Sequence, residues 1–191
     1  MASSSSRTQD QFFSTETEMM RQTVLVSALA FSIPALCNGQ AIRKSQLASV
    51  SQMIGTARVE ITYRRPVARG RELFGELVPY GKLWSPSADS ATTFWTTKDL
   101  QIAGSKLPAG RYSVWAIPQK DIWTVVFSSA TPAFHLRYTE GKDALRVRVK
   151  SHSGDHFESL AYYFPMVDGD SAVLAIHWGK TVVPLTIKAS Q

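Results

Sequence analysis

From Ala57 onward the apolar residues of this chain recur at every second position rather than every third or fourth. In residues 57–63 (ARVEITY), Val59, Ile61 and Tyr63 fall on one face, and Arg58, Glu60 and Thr62 on the other. Residues 112–117 repeat the pattern, setting Tyr112, Val114 and Ala116 against Ser113, Trp115 and Ile117. Residues 144–151 (ALRVRVKS) put Arg146, Arg148 and Lys150 opposite Leu145, Val147 and Val149. A side-chain period of two belongs to the pleated strand, and a strand with one wet face belongs to an antiparallel sheet packed on one side only.

Turn residues divide the chain at short intervals. Gly104-Ser105, Pro108 to Gly110, Pro118 to Asp121, Thr139 to Asp143, Pro165, Asp168 to Asp170 and Gly179-Lys180 separate the apolar runs. The runs include 92–97 (TTFWTT), 99–102 (DLQI), 122–129 (IWTVVFSS), 134–138 (FHLRY), 157–164 (FESLAYYF), 171–178 (SAVLAIHW) and 181–189 (TVVPLTIKA). Short strands at this spacing predict a single antiparallel β-sandwich of about 8–9 strands. Pro184 predicts an edge position or a bulge, Gly179-Lys180 a tight turn, and residues 70–78 (GRELFGELV) one short helical turn.

The front of the chain reads differently. Residues 1–18 are polar and serine-rich, an extension upstream of a start at Met19 or Met20. Residues 19–39 have the order of a secretory signal peptide: Arg21, the apolar run Val24 to Leu36, then Cys37-Asn38-Gly39. That run is shorter than the roughly 20 residues of a spanning helix. A lipoprotein anchored at Cys37 is the minor alternative. The folded domain is therefore expected over 40–191, working outside the cytoplasm. Cys37 is the only cysteine, so that domain must do without disulfides and thiolate ligands. It holds 19 Lys and Arg against 12 Asp and Glu, an excess that suits anionic envelope surfaces or acidic glycans. The densest cationic cluster is Arg64-Arg65 with Arg69-Gly70-Arg71.

Several chemistries have no motif here. No Gly-x-Ser-x-Gly elbow occurs, no two glycines are spaced Gly-x-Gly, and no phosphate loop is present. Nucleic acid is not an expected partner. A divalent metal has better donors: residues 151–159 (SHSGDHFES) bring His152, Asp155 and His156 close in sequence, read as a turn between strands. His177 reads as a hydrogen-bonded strand residue, and Tyr112 as a corner tyrosine returning its hydroxyl to the backbone. The five tryptophans are core residues first, although Trp95 and Trp115 are out of phase with their core-facing neighbours.

The string Gly70-Arg71-x-x-Phe74-Gly75-x-Leu77-Val78-Pro79-Tyr80-Gly81-x-x-Trp84, followed by 107–118 (LPAGRYSVWAIP), resembles a bacterial domain-of-unknown-function family, number 2911. The resemblance runs from about Ala48 to Ile187 and implies an exported β-rich domain, without a reaction, cofactor or partner. In that family the tryptophan is typically followed by Arg-Thr-Gly-Ala-Asn-Glu-Ala-Thr. Here Ser85 stands at the Arg position and Ser90 at the Glu position. The resemblance thus implies a divergent loop that has lost either ligand-handling groups or both partners of one ion pair, rather than a gain of catalytic serines.

The resulting expectation is a binding or accessory module with no cofactor, taking a small-molecule or glycan ligand of anionic or carbohydrate-like character. Arg65, Arg69, Arg71 and Trp84 are its expected contacts, because guanidinium forks suit carboxylate or sulfate and a tryptophan adds stacking. The alternatives are a divalent-metal-dependent envelope hydrolase at His152, Asp155 and His156, and a structural or assembly protein using the Pro184 strand as an edge.

Overall fold

A computed structural model describes residues 42–190. The extension read at 1–18, the leader at 19–39 and Cys37 lie outside the described residues. Ten strands follow: β1 (Gln46–Ile54), β2 (Ala57–Arg65), β3 (Thr92–Thr96), β4 (Leu100–Ile102), β5 (Ser105–Leu107), β6 (Gly110–Ile117), β7 (Ile122–Ser128), β8 (Asp143–Lys150), β9 (His152–Asp168) and β10 (Ser171–Ala189). They form two antiparallel sheets, ordered β1-β2-β3-β6-β7-β8 and β5-β4-β10-β9. One core lies between them. The first sheet supplies Ile61, Phe94, Val114, Trp123, Val125 and Phe127; the second supplies Leu100, Leu160, Leu174, Leu185 and Ile187. Each such side chain contributes about 1.5–3 kcal/mol by leaving water.

The alternation read from the sequence holds on β2, β3 and β8 of the six-stranded sheet, whereas β6 and β7 are buried on both faces over most of their length. Val59, Ile61 and Tyr63 are buried on β2, and Arg146, Arg148 and Lys150 form the wet face of β8. Tyr112 returns its hydroxyl to the Pro108 carbonyl at 2.9 Å, which fixes the corner into β6. β1 escaped the pattern because both of its faces are mixed: Leu47 and Met53 point outward and are exposed, while Gln52 shares the inward face with Val50 and Ile54.

Five expectations about strands and turns need correction. Residues 134–138 form no strand but a loop, in which Phe134 and Leu136 are exposed. Residues 70–78 form no helical turn, and no helix occurs among the described residues. Gly70 (φ 68°) and Gly75 (φ 106°) leave the right-handed region, and bonds from Leu77 N–H to Glu72 O and Val78 N–H to Leu73 O close a wider loop than an α-turn. Pro165 does not end a strand: it lies within β9 at an irregularity between Met166 and Tyr163, on an edge strand where a missing N–H is tolerated. Pro184, by contrast, is on an interior strand. It falls between the span of β10 paired with β9, ending at Val182, and the span paired with β4, beginning at Ile187.

Gly179-Lys180 is a bend rather than a hairpin turn. Gly179 (φ 59°) stays opposite Phe157 in the β9 ladder, with register shifts on either side. A straight strand of 19 residues would span about 60 Å. Instead Ala189 N–H donates to the Asp170 carbonyl at 2.8 Å, so the two ends of β10 meet. The whole β9–β10 hairpin curls, and its bend forms one wall of the groove described next.

Candidate functional site

The connection between β2 and β3, residues 66–91, joins the two sheets at one end of the sandwich. It starts against β9, where Leu160 N–H donates to Pro66 O and Ala68 N–H to Glu158 O. It ends against β6, where Trp84 and Ala116 exchange both backbone hydrogen bonds. Between these anchors the chain turns inward and inserts Phe74. That ring meets Trp123 of β7 at 4.8 Å, Trp84 at 5.9 Å and Trp178 of β10 at 6.2 Å, all edge-on. Trp84 stacks on Trp178 at 5.9 Å. Edge-to-face pairs place ring hydrogens over π faces and add about 0.5–1.5 kcal/mol each beyond burial. The four rings close the end of the core.

Above this floor lies an open cavity of about 440 Å³. Its lining includes Arg71, Phe74, Tyr80, His156, Trp178 and Lys180. Tyr80 is 41% exposed, and its ring lies close over Gly75, where a Cβ would come within 3.0 Å of it. Leu73 sits as closely on Gly179, where a Cβ would meet Leu73 Cδ1 at 2.8 Å. Gly179 therefore lets the loop settle onto the β10 bend, while Gly75 lets Tyr80 fold back over its own loop.

One rim carries a carboxylate–imidazole pair. Glu158 accepts from His156 Nε2 at 3.1 Å and from the Arg69 amide at 2.6 Å. The His156 bond first, and the Arg69 amide second, hold the Glu158 carboxyl below its ordinary range. Because a carboxylate only accepts, Nε2 carries the hydrogen and Nδ1 of neutral His156 is left as an acceptor.

The expected contacts separate. Arg65 is half-buried and gives Nε–H to the Leu160 carbonyl at 3.0 Å, tying β2 to β9. Arg71 lines the groove, but its Nε and Nη2 donate to the Ala68 and Val67 carbonyls at 2.8 and 2.7 Å, leaving Nη1 for a ligand. Arg69 is exposed, in a left-handed conformation (φ 53°). Trp84 is half-buried in the aromatic floor. Arg71, expected from the sequence, lines this groove together with Tyr80 and Lys180, which the sequence reading did not name. Tyr80 lies within the family string, whereas Lys180 is 100 positions away and reaches the site only through the bend at Gly179.

Residues 152–158 are not a turn but the first part of β9. His152 Nδ1 lies 3.2 Å from the Ser153 carbonyl, His156 pairs with Glu158, and Asp155 offers its backbone carbonyl to His177 Nε2 at 2.9 Å. Among the described residues no group of three His, Cys, Asp or Glu is gathered to hold a metal. His177 is buried as expected, stacked on Phe157 at 3.9 Å with Nδ1 facing the Tyr163 hydroxyl. Trp115 does leave the main core, but lies buried in a small second cluster with Ala91 and Val126, flanked by Leu83, Ala133 and Tyr138.

The hydroxyl-rich stretch after Trp84 is structural. Ser85, Ser87 and Thr92 are buried. Ser87 Oγ accepts the Arg64 N–H at 2.9 Å, and Thr92 Oγ1 donates to Pro86 O at 2.9 Å. Ser85 Oγ is buried with no hydrogen-bond partner among the described residues. Asp89 (φ 61°) pairs with Arg43 at 2.9 Å and Arg64 at 3.7 Å.

No curated protein and no solved structure matches the chain. No helix among the described residues is long and apolar enough to cross a membrane. The profile of one family, described as a protein of unknown function (DUF2911), matches residues 45–187 and takes in both sheets and the groove. By that match the chain belongs to the DUF2911 family.

Proposed function

We propose that the protein is an exported binding module that takes an acidic, carbohydrate-like ligand in the groove between the 70–80 loop and the β9–β10 bend. One observation carries the reading: a half-exposed Tyr80 flanks a cavity of about 440 Å³ whose lining holds Arg71, His156 and Lys180. A tyrosine face gives a sugar ring an apolar platform, and the Arg71 and Lys180 cations answer a carboxylate or sulfate. The mixture of Glu72 with these cations suits a polyol better than a bare anion, because hydroxyl groups need acceptors as well as donors. The leader read at 19–39 and the excess of basic residues agree with work at an anionic cell envelope.

Binding of the purified protein to immobilised acidic polysaccharides tests the reading. Lys180→Glu should reduce retention by tenfold or more without moving the melting temperature, since Lys180 is exposed. Equal retention of both proteins would remove the groove from consideration. The metal-hydrolase alternative has two donors, His156 and Glu158, where a catalytic site ordinarily offers three.

A further inference from the structure

A second cavity, of about 520 Å³, lies on the other side of Tyr80. It is lined by Tyr80, Gly81, Gln119, Lys120, Asp121, Ile122 and Arg148. Tyr80 is therefore a wall common to both cavities. Their relative position is set by the backbone: Gly81 N–H donates to Pro118 O at 2.8 Å, which fastens the loop to the β6–β7 connection. The Tyr80 ring packs close over Gly75.

We propose that the two cavities are consecutive subsites of one groove, and that the ligand is a linear acidic oligosaccharide rather than a single sugar. The proposal rests on the binding reading above. Its chemistry repeats across Tyr80: Arg71 and Lys180 stand on one side, Lys120 and Arg148 on the other. Among the described residues none of these four takes part in an ion pair. An acidic polysaccharide carries an anionic group at regular intervals along its chain, so it can meet both pairs of cations at once. A compact anion or a lone sugar acid reaches only one pair. Ile122, 38% exposed, gives the second cavity an apolar patch to complement Tyr80. Both cavities are open to solvent.

Filling two tethered subsites turns the second contact into an intramolecular event, so affinity should climb with chain length until both are occupied. Calorimetric titration with galacturonic acid and its oligomers of two to six units reads this directly. The expected result is at least a tenfold gain from monomer to the length that fills the groove, then a plateau. Arg148→Ala should flatten that length dependence and leave the monomer affinity within about twofold. It should also leave the melting temperature unchanged, because the Arg148 side chain is exposed and makes no hydrogen bond among the described residues. Tyr80→Ala should weaken every length. Affinity independent of length, or a length dependence that survives Arg148→Ala, overturns the double groove and leaves single-site binding standing. Absence of binding at all lengths by a folded protein overturns this proposal together with the reading beneath it.

Discussion

The two halves of the β2–β3 connection differ in the opposite sense to their charge. Residues 66–84 are rich in Arg, Glu and aromatic residues and surround an open groove. Residues 85–91 contain a single charged residue, Asp89, and have three consecutive residues buried, Ser85 to Ser87. Both halves use polar groups to hold backbone. Arg71 in the first half donates to the carbonyls of Ala68 and Val67, and Ser87 in the second accepts the Arg64 N–H; Arg65 and Thr92, at the flanking strand ends, likewise donate to the carbonyls of Leu160 and Pro86. The difference lies in reach. A short hydroxyl bonds the backbone packed directly against it and can be buried with it, whereas a long guanidinium reaches its carbonyls from outside and keeps donors free. Polar composition alone therefore does not separate mortar from binding surface; the length of the side chain and the partner it finds do.

The largest test of this contrast concerns the aromatic floor. Phe74 belongs to the groove's loop yet makes its contacts in the core, so Phe74→Ala should cost about 3–5 kcal/mol in denaturant unfolding. Tyr80→Ala, on the same loop but solvent-facing, should cost no more than about 1 kcal/mol. Comparable losses for the two would mean that the groove and the core floor are a single packed unit, and the division drawn at Phe74 would fail.

A second test strikes the buried half. Tyr162 lies on β9 with its hydroxyl 3.1 Å from Thr92 Oγ1 and 3.2 Å from Pro86 O. Burial pushes its phenol well above the ordinary value of 10.0. The folded state therefore keeps a proton that the unfolded chain gives up above about pH 10, and the associated stability is complete below that pH and declines as pH rises beyond it. Tyr162→Phe should lose about 1–2 kcal/mol near neutrality through the missing hydrogen bonds, and should then lose less than the parent protein on alkaline titration. Unfolding curves at pH 7, 9, 10 and 11 check both parts. Parallel curves for the two proteins would mean that the phenol is not sealed from solvent.

How much of this was legible follows from the physics of each region. The six-stranded sheet is built of strands of five to nine residues with one face in the core, so its pattern of Val59, Ile61, Tyr63 or Leu145, Val147, Val149 is local and readable. The hairpin of β9 and β10 runs for 17 and 19 residues through bulges. Pro165 and Gly179, sound turn markers elsewhere, mark irregularities inside it because the ladder continues across them. The site suffered likewise. Arg71 could be named from its cluster, but its engagement with Val67 and Ala68 depends on the loop's path. Lys180 and His156 come to Arg71 only through long-range folding, for which no spacing along the chain is a sign.

The smallest effect separates two serines two positions apart. Ser87→Ala should cost about 1–2 kcal/mol, because it leaves the Arg64 N–H without the hydroxyl that accepts it. Ser85→Ala should cost nothing measurable and could gain up to about 1 kcal/mol, since the lost hydroxyl is buried with no partner among the described residues. Urea midpoints of the two single variants and the double variant decide the matter. A loss at Ser85 equal to that at Ser87 would mean that its hydroxyl is satisfied by a bound water or ligand group. The buried half of the connection would then itself contain a site, and its contrast with the open groove would dissolve.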